Sequence, residues 1–225
     1  MVYELGLRLG VTDFSNITES NLIAQELRNG LHGAVSNCLL CLLRAHSTHE
    51  ETDFFPAVRP FDSEAVAAVM AEHREIKRRI YHIAKHCDEL QAVSGHDQRV
   101  EAGDRLHAEA SDLIALTLAH LNREESTLVP IMWERFTDQQ LRDLRAQFYN
   151  SIPLAQFEEW MRWSLPALNV NELQVLLRGM RMDPPPNRFS AAIRVGEEVV
   201  DSHRWNVIMN QLGGAERVRH RTDVP

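Results

Sequence analysis

Two eleven-residue frames of the chain, residues 46–56 and 120–130, carry side chains that could bind a metal. They share a histidine, a glutamate four residues later, a second glutamate, an apolar pair and a final proline, all at the same offsets. An offset of four on an α-helix places two side chains on one face, about 6 Å apart along the axis. Two such helices facing each other would offer one pocket two imidazoles and two carboxylates: His46 with Glu50, and His120 with Glu124.

This donor set favours a dinuclear iron or manganese centre, with iron as the first expectation. Imidazole suits iron, zinc and copper, whereas a carboxylate can bridge two harder ions. His73 adds a third imidazole from an amphipathic segment whose buried stripe is marked by Val69, Met70, Ile76 and Ile80. A single His-x-x-x-Glu pair is usually a solvated surface pair. Its repetition in matched frames argues instead for a shared metal site.

The elements that position these residues are predicted to be helices. Helical periodicity, punctuated by glycine and proline, predicts helices at about 17–28, 33–55, 63–91 and 99–128. Pro56 and Pro130 are predicted to end the second and fourth of them, because proline cannot continue a hydrogen-bonded helix. We therefore expect an all-α fold, an antiparallel four-helix bundle with an appended helical extension. The expected domains are 1–136, the metal-binding bundle, and 137–225, the extension, with helices at about 138–149, 154–163, 169–181 and 191–212 and a loose tail.

Charge and composition argue against several classes of protein. The 225 residues carry a formal net charge of -8, so no basic field attracts nucleic acid or anionic lipid. No apolar run approaches the roughly 20 residues of a membrane span, and no signal peptide is evident, so a cytoplasmic location is expected. Cys38, Cys41 and Cys87 fit a reducing compartment better than a disulfide framework and are expected to be small core residues.

The two frames and His73 together resemble the hemerythrin-like (HHE cation-binding) family. Its signature is a histidine on one helix and His-x-x-x-Glu pairs on two others, each followed by an apolar pair and proline. The resemblance covers about 22–133 and implies a non-heme diiron centre of two iron ions with carboxylate bridges, manganese or zinc being less expected. Its ligands would be His46, Glu50, His73, His120 and Glu124. The stretch from about 159 to 181 is similar to a C-terminal extension of some bacterial members.

The sequence departs from the family at the first helix, where a further histidine ligand is expected. His32 is the N-terminal candidate, but it lies only fourteen residues before His46. On one continuous helix the two would be about 21 Å apart, whereas a tight turn at 29–33 would bring them closer. Tyr3 or Glu4 could supply an oxygen ligand instead.

Other polar residues near the frames are expected to support the site. His49 and Asp53 form a second i, i+4 pair on a different side of the helix, so a supporting or surface role is expected. Glu51 and Glu125 could accept hydrogen bonds from ligating imidazoles.

Three functions remain open at this point. The first is binding or sensing of dioxygen, peroxide or nitric oxide at the diiron centre. The second is a diiron oxidase or oxygenase acting on a small organic substrate, and the third is a helical scaffold or interaction protein. The chain has no Glu-x-x-His pair, which argues against a ferritin-like centre. Nucleic acid and membrane are not expected as partners, and the extension could form a homodimer interface.

Overall fold

The computed structural model describes residues 2–32, 39–182 and 185–222, with side chains described for 6–28, 43–182 and 185–212. The elements in these residues are helices, without strands, which confirms the predicted all-α fold. Contacts divide the chain into two compact units, Met1–Leu141 and Arg142–Pro225.

The first unit is built from helices that succeed one another with short connections. Their bounds are α1 Val2–Val11, α2 Ile17–His32, α3 Leu39–His49, π1 Glu50–Phe54, α4 Phe55–Val58, α5 Ser63–Ala92, α6 His96–Arg123, π2 Glu124–Leu128 and α7 Val129–Arg135. Helix α8, Asp138–Ser151, crosses from the first unit into the second. The helix α1 was not predicted from the sequence.

Helices α5 and α6 form the centre of the first unit and run antiparallel. His73 on α5 lies beside His120 on α6, whereas Arg79, further along α5, pairs with Glu109 and Asp112, which lie earlier on α6. Asp62 caps the start of α5, since its side chain accepts a hydrogen bond from the Ala65 amide at 2.8 Å. Helix α2 packs on α5, α3 lies against both of them, and α1 lies against α6.

The buried face of α5 explains how a histidine reaches the interior. Buried residues recur at intervals of three or four along the helix, the spacing of one helical face: Val66, Val69, His73, Ile76, Ile80, Ile83, Cys87 and Leu90. The residues from Ile76 onward belong to the main apolar core, whereas Val66 and Val69 belong to a smaller cluster with Phe55, Val58 and Leu128. His73 therefore lies between two apolar clusters.

The prediction that Pro56 and Pro130 end their helices was wrong. Each proline lies in the first turn of a short helix, α4 or α7, that directly follows a π-helical turn. In π1 the Phe55 amide donates to the Glu50 carbonyl, and in π2 the Val129 amide donates to the Glu124 carbonyl. The wider turn tolerates a proline because a first-turn residue needs no amide hydrogen. Such turns occur frequently at functional sites.

The second unit has its own apolar core. It contains α9 Leu154–Ala167, α10 Val170–Met182, α11 Pro186–Val199 and α12 Ser202–Thr222, and its core includes Phe157, Leu165, Leu173 and Trp205. A single helix over 191–212 was predicted, but the helix is interrupted between α11 and α12. The Asp201 side chain caps α12 by accepting a hydrogen bond from the Arg204 amide, so the cap starts a new helix there.

In the described part of the chain, no helix combines the length and apolar character needed to cross a membrane.

Candidate metal centre

The two repeated frames meet at one point in the first unit. His46, Glu50, His120 and Glu124 each offer one donor atom, and these four atoms lie within 4.8 Å of one another. His46 and His120 stand at the ends of α3 and α6, and each glutamate is the first residue of a π-helical turn. The i, i+4 spacing therefore acts as the sequence predicts: His46 Nε2 is 3.1 Å from Glu50 Oε1, and His120 Nε2 is 3.5 Å from Glu124 Oε1.

His73 reaches the same point from α5. Its Nε2 lies 3.4 Å from Glu50 Oε2, 3.9 Å from Glu124 Oε1 and 3.2 Å from His120 Nε2. The ring of Phe55 stacks on the His73 ring with centroids 5.3 Å apart. Three helical segments thus bring three imidazoles and two carboxylates together, with an apolar ring behind one of the imidazoles.

Burial is graded across the five side chains. His73 and His120 have 0% and 2% of their side-chain surface exposed, the two glutamates 13–15%, and His46 32%. His46 is therefore the most exposed of the five.

Three buried atoms of the cluster, His46 Nε2, Glu50 Oε2 and Glu124 Oε1, have no hydrogen-bond partner among the described residues. His46 Nε2 is close to Glu50, but not in a geometry that makes a hydrogen bond. Buried polar atoms without partners are uncommon, and each needs an explanation, for which an ion is one answer. Since all three converge on one point and can donate a lone pair, the residues fit a bound cation.

The electrostatics of the cluster also suit a cation. Burial, together with the neighbouring His120 and His73, lowers the pKa of His46 to about 4. Burial also lowers the pKa values of His73 and His120, although each has a carboxylate partner that opposes the shift. The three imidazoles are therefore neutral at pH 7, the form that binds metals.

The carboxyl groups shift in the opposite direction. Burial raises the pKa of Glu50 to about 8, and burial together with the charge of Glu50 raises the pKa of Glu124 to about 8. Two carboxylates in one buried site cannot both ionise easily without a positive charge between them. A cation would supply that charge.

Two further carboxylates hold the buried imidazoles from behind. Glu51 Oε1 lies 2.9 Å from His73 Nδ1 and 2.9 Å from Lys77 Nζ. Glu72 Oε2 lies 3.1 Å from His120 Nδ1, while its other oxygen accepts from Arg123 Nε at 2.5 Å. The predicted accepting role of Glu51 thus has a contact to support it.

Glu125, at the matching position of the second frame, is exposed. Glu72 fills that place for His120, a role that was not predicted from the sequence. Its position next to His73 in the sequence was a weak signal, because adjacent helical residues point in different directions.

The structure shows where some of the remaining predicted residues lie, and the side chains of the others are outside the described residues. His49 Nδ1 is 3.6 Å from Asp53 Oδ2, and Asp53 is buried, which is compatible with a supporting role. Cys87 is buried in the main core, as expected. The side chains of His32, Tyr3, Glu4, Cys38 and Cys41 lie outside the described residues, so the first-helix ligand stays a prediction.

One family model matches this part of the chain. The Hemerythrin HHE cation binding domain matches residues 14–132, more than half of the 225 residues. No curated protein and no solved structure matches the chain. The matched range contains both frames and His73, and the chain therefore belongs to the hemerythrin HHE cation-binding domain family.

Proposed function

We propose that the protein is a non-heme diiron protein that binds or reacts with dioxygen, peroxide or nitric oxide, with His46, Glu50, His73, His120 and Glu124 as its metal ligands. The observation that carries the proposal is the convergence of three unpartnered buried donor atoms from the two repeated frames. Membership of a cation-binding family supports a metal at this point.

The donor set favours two ions over one. Glu50 and Glu124 each have two oxygens, and Glu50 Oε1 lies near His46 while Glu50 Oε2 lies near His73. A carboxylate whose two oxygens face different imidazoles is suited to bridging. Three neutral imidazoles and two carboxylates also leave net positive charge on two divalent ions, a state compatible with binding anionic or electron-rich small molecules. Mixed nitrogen and oxygen donors suit iron, whereas magnesium and calcium prefer sets made of oxygen donors alone.

Bound iron would supply the redox chemistry and the coordination positions for the small molecule. The chain itself supplies orientation and exclusion of water. The buried rings of His73 and His120 close the inner side, and the stacked Phe55 keeps that side apolar. The more exposed His46 leaves an approach for a small molecule.

The test is metal content per chain after anaerobic loading with ferrous iron, together with ultraviolet-visible spectra before and after exposure to air. We expect about two irons per chain and a spectral change that depends on oxygen. His46→Ala and His120→Ala should each lower the iron content, because each removes a donor that no neighbour replaces. A wild-type chain that retains no iron, or unchanged iron content in both variants, would contradict the proposal.

A further inference from the structure

Six side chains form a line through the centre of the first unit. The order of contacts is Lys77, Glu51, His73, His120, Glu72 and Arg123. The line joins π1 to α5 through Glu51 and His73, and α5 to α6 through Glu72 and His120. From each end of the line toward its middle, the order is thus a cation, a carboxylate and an imidazole.

The carboxylates fix which nitrogen of each ring carries the proton. The Lys77 ammonium can only donate, and its Nζ lies 2.9 Å from Glu51 Oε1, so this oxygen serves as a carboxylate acceptor. An ionised carboxylate can only accept a hydrogen bond, so His73 must carry its proton on Nδ1. Glu72, paired with Arg123, holds the proton of His120 on Nδ1 in the same way. In both rings the lone pair is then on Nε2, the atom that faces the cluster.

The cations differ in how they compete for the carboxylates. Lys77 Nζ binds the same oxygen, Oε1 of Glu51, that accepts from His73. Arg123 Nε binds Oε1 of Glu72, whereas His120 uses Oε2. Lys77 therefore withdraws electron density from the accepting oxygen itself, and Arg123 acts only through the other oxygen.

We propose that Glu51 and Glu72 are positioning residues that hold His73 and His120 as Nε2 donors to the metal, and that Lys77 and Arg123 limit how strongly these carboxylates polarise the rings. The proposal rests on the proposed metal site. Four side chains that are not ligands would then adjust the affinity and the redox potential of the centre. Two of them, Lys77 on α5 and Arg123 on α6, lie at the surface.

The first test measures affinity with Co²⁺ alone as the probe, by competition titration followed through its visible absorption bands. Glu51→Gln and Glu72→Gln keep the side-chain shape and remove the charge. We expect each to weaken Co²⁺ binding by about 10-fold or more, the usual effect of removing such a partner. Glu125→Gln is the matched control, an exposed glutamate of the second frame, and should bind as the wild type does.

The second test uses a quantity that a merely structural role would not change, the midpoint potential of the iron-loaded protein. Replacing a carboxylate by an amide makes the ring a poorer donor, so Glu51→Gln and Glu72→Gln should raise the potential. Lys77→Met and Arg123→Met free the carboxylates to polarise the rings more strongly and should lower it, Lys77→Met by more. Lys85→Met removes an exposed charge from the same helix α5 and should leave it nearly unchanged.

The outcomes separate this inference from the proposed function. If the wild type binds no Co²⁺ and no iron, the metal site itself is wrong. If the wild type binds both, His46→Ala weakens binding, and the Glu51 and Glu72 variants match Glu125→Gln, only the inference is overturned. Lys77 and Arg123 are partly exposed, so their variants should fold, and shifts of the same sign as those of the glutamine variants would also overturn it.

Discussion

The Nε2 atoms of His73 and His120 lie 3.2 Å apart on the antiparallel helices α5 and α6. Since Glu51 and Glu72 hold the protons of both rings on Nδ1, two lone pairs face each other across this gap. No hydrogen bond can form between two acceptors. A cation between the rings removes this repulsion, so the metal-free chain should be less stable than the loaded one.

Metal should therefore raise the thermal stability of the first unit through His120. At a free metal concentration about a thousandfold above the Kd, binding contributes roughly 4 kcal/mol. Differential scanning calorimetry should show a rise in Tm on adding Co²⁺ to the wild type and little rise for His120→Ala. His96→Ala, which removes an exposed histidine at the start of the same helix, should keep the full rise. Equal rises in all three proteins would contradict the role of His120.

The stability of the metal-free protein should fall as the pH rises from about 4.5 to 8, most steeply above about pH 6.5. Glu50 and Glu124 have pKa values of about 8 in the folded protein, above the ordinary value of 4.5. Between these two values the folded state binds more protons than the unfolded state, so its stability decreases as the pH rises through this range. The lowered pKa of His46 acts in the opposite direction, but only between about pH 4 and 6.5.

Chemical denaturation at several pH values checks this dependence. The variant Glu50→Gln/Glu124→Gln, which has no carboxyl group to ionise at these positions, should lose most of the slope. It should also be more stable than the wild type at pH 9 without metal, and should bind metal poorly. A wild-type slope that is flat between pH 6.5 and 9 would show that these two carboxyl groups do not have raised pKa values.

Phe55 should stabilise the apolar cluster beside the site. It is 2% exposed and stacks on His73. Phe55→Ala should lower the free energy of unfolding by about 3–5 kcal/mol, the usual cost of emptying a buried phenylalanine site. Denaturant unfolding measures this loss, and the exposed aromatic Tyr81 gives the control, with Tyr81→Ala within about 0.5 kcal/mol of the wild type. A similar loss in both variants would argue against the packing of Phe55.

Gly103 should tolerate no side chain. A Cβ at this position would lie 2.1 Å from Cγ of Phe14, a buried ring of the main core. Gly103→Ala should cost about 1–3 kcal/mol through overpacking, even though alanine favours the helix. Gly95→Ala is the matched control because its Cβ would meet only the flexible Gln98 side chain. If Gly103→Ala is as stable as Gly95→Ala, the close approach of Phe14 is wrong.

The local part of the site followed from the sequence. An i, i+4 pair lies on one helical face whatever surrounds it, so the pairing of His46 with Glu50 and of His120 with Glu124 required only a helix. The interior position of His73 followed from the apolar spacing of α5. The all-α fold followed from the same periodicity, because helical hydrogen bonds join near neighbours in the chain.

Relations between helices were decided by the tertiary structure. Glu51 and Glu125 occupy equivalent positions in the two frames, yet Glu51 lies against α5 and Glu125 is exposed. Glu72 reaches His120 although 48 residues separate them. The sequence alone also predicted that Pro56 would end a helix. Instead, the helix continues after a π turn, and Phe55 and Val58 beyond that turn pack into a shared apolar cluster. Sequence periodicity specifies which face of a helix is buried, but the neighbour on that face depends on how distant segments pack, and packing is a property of the whole fold.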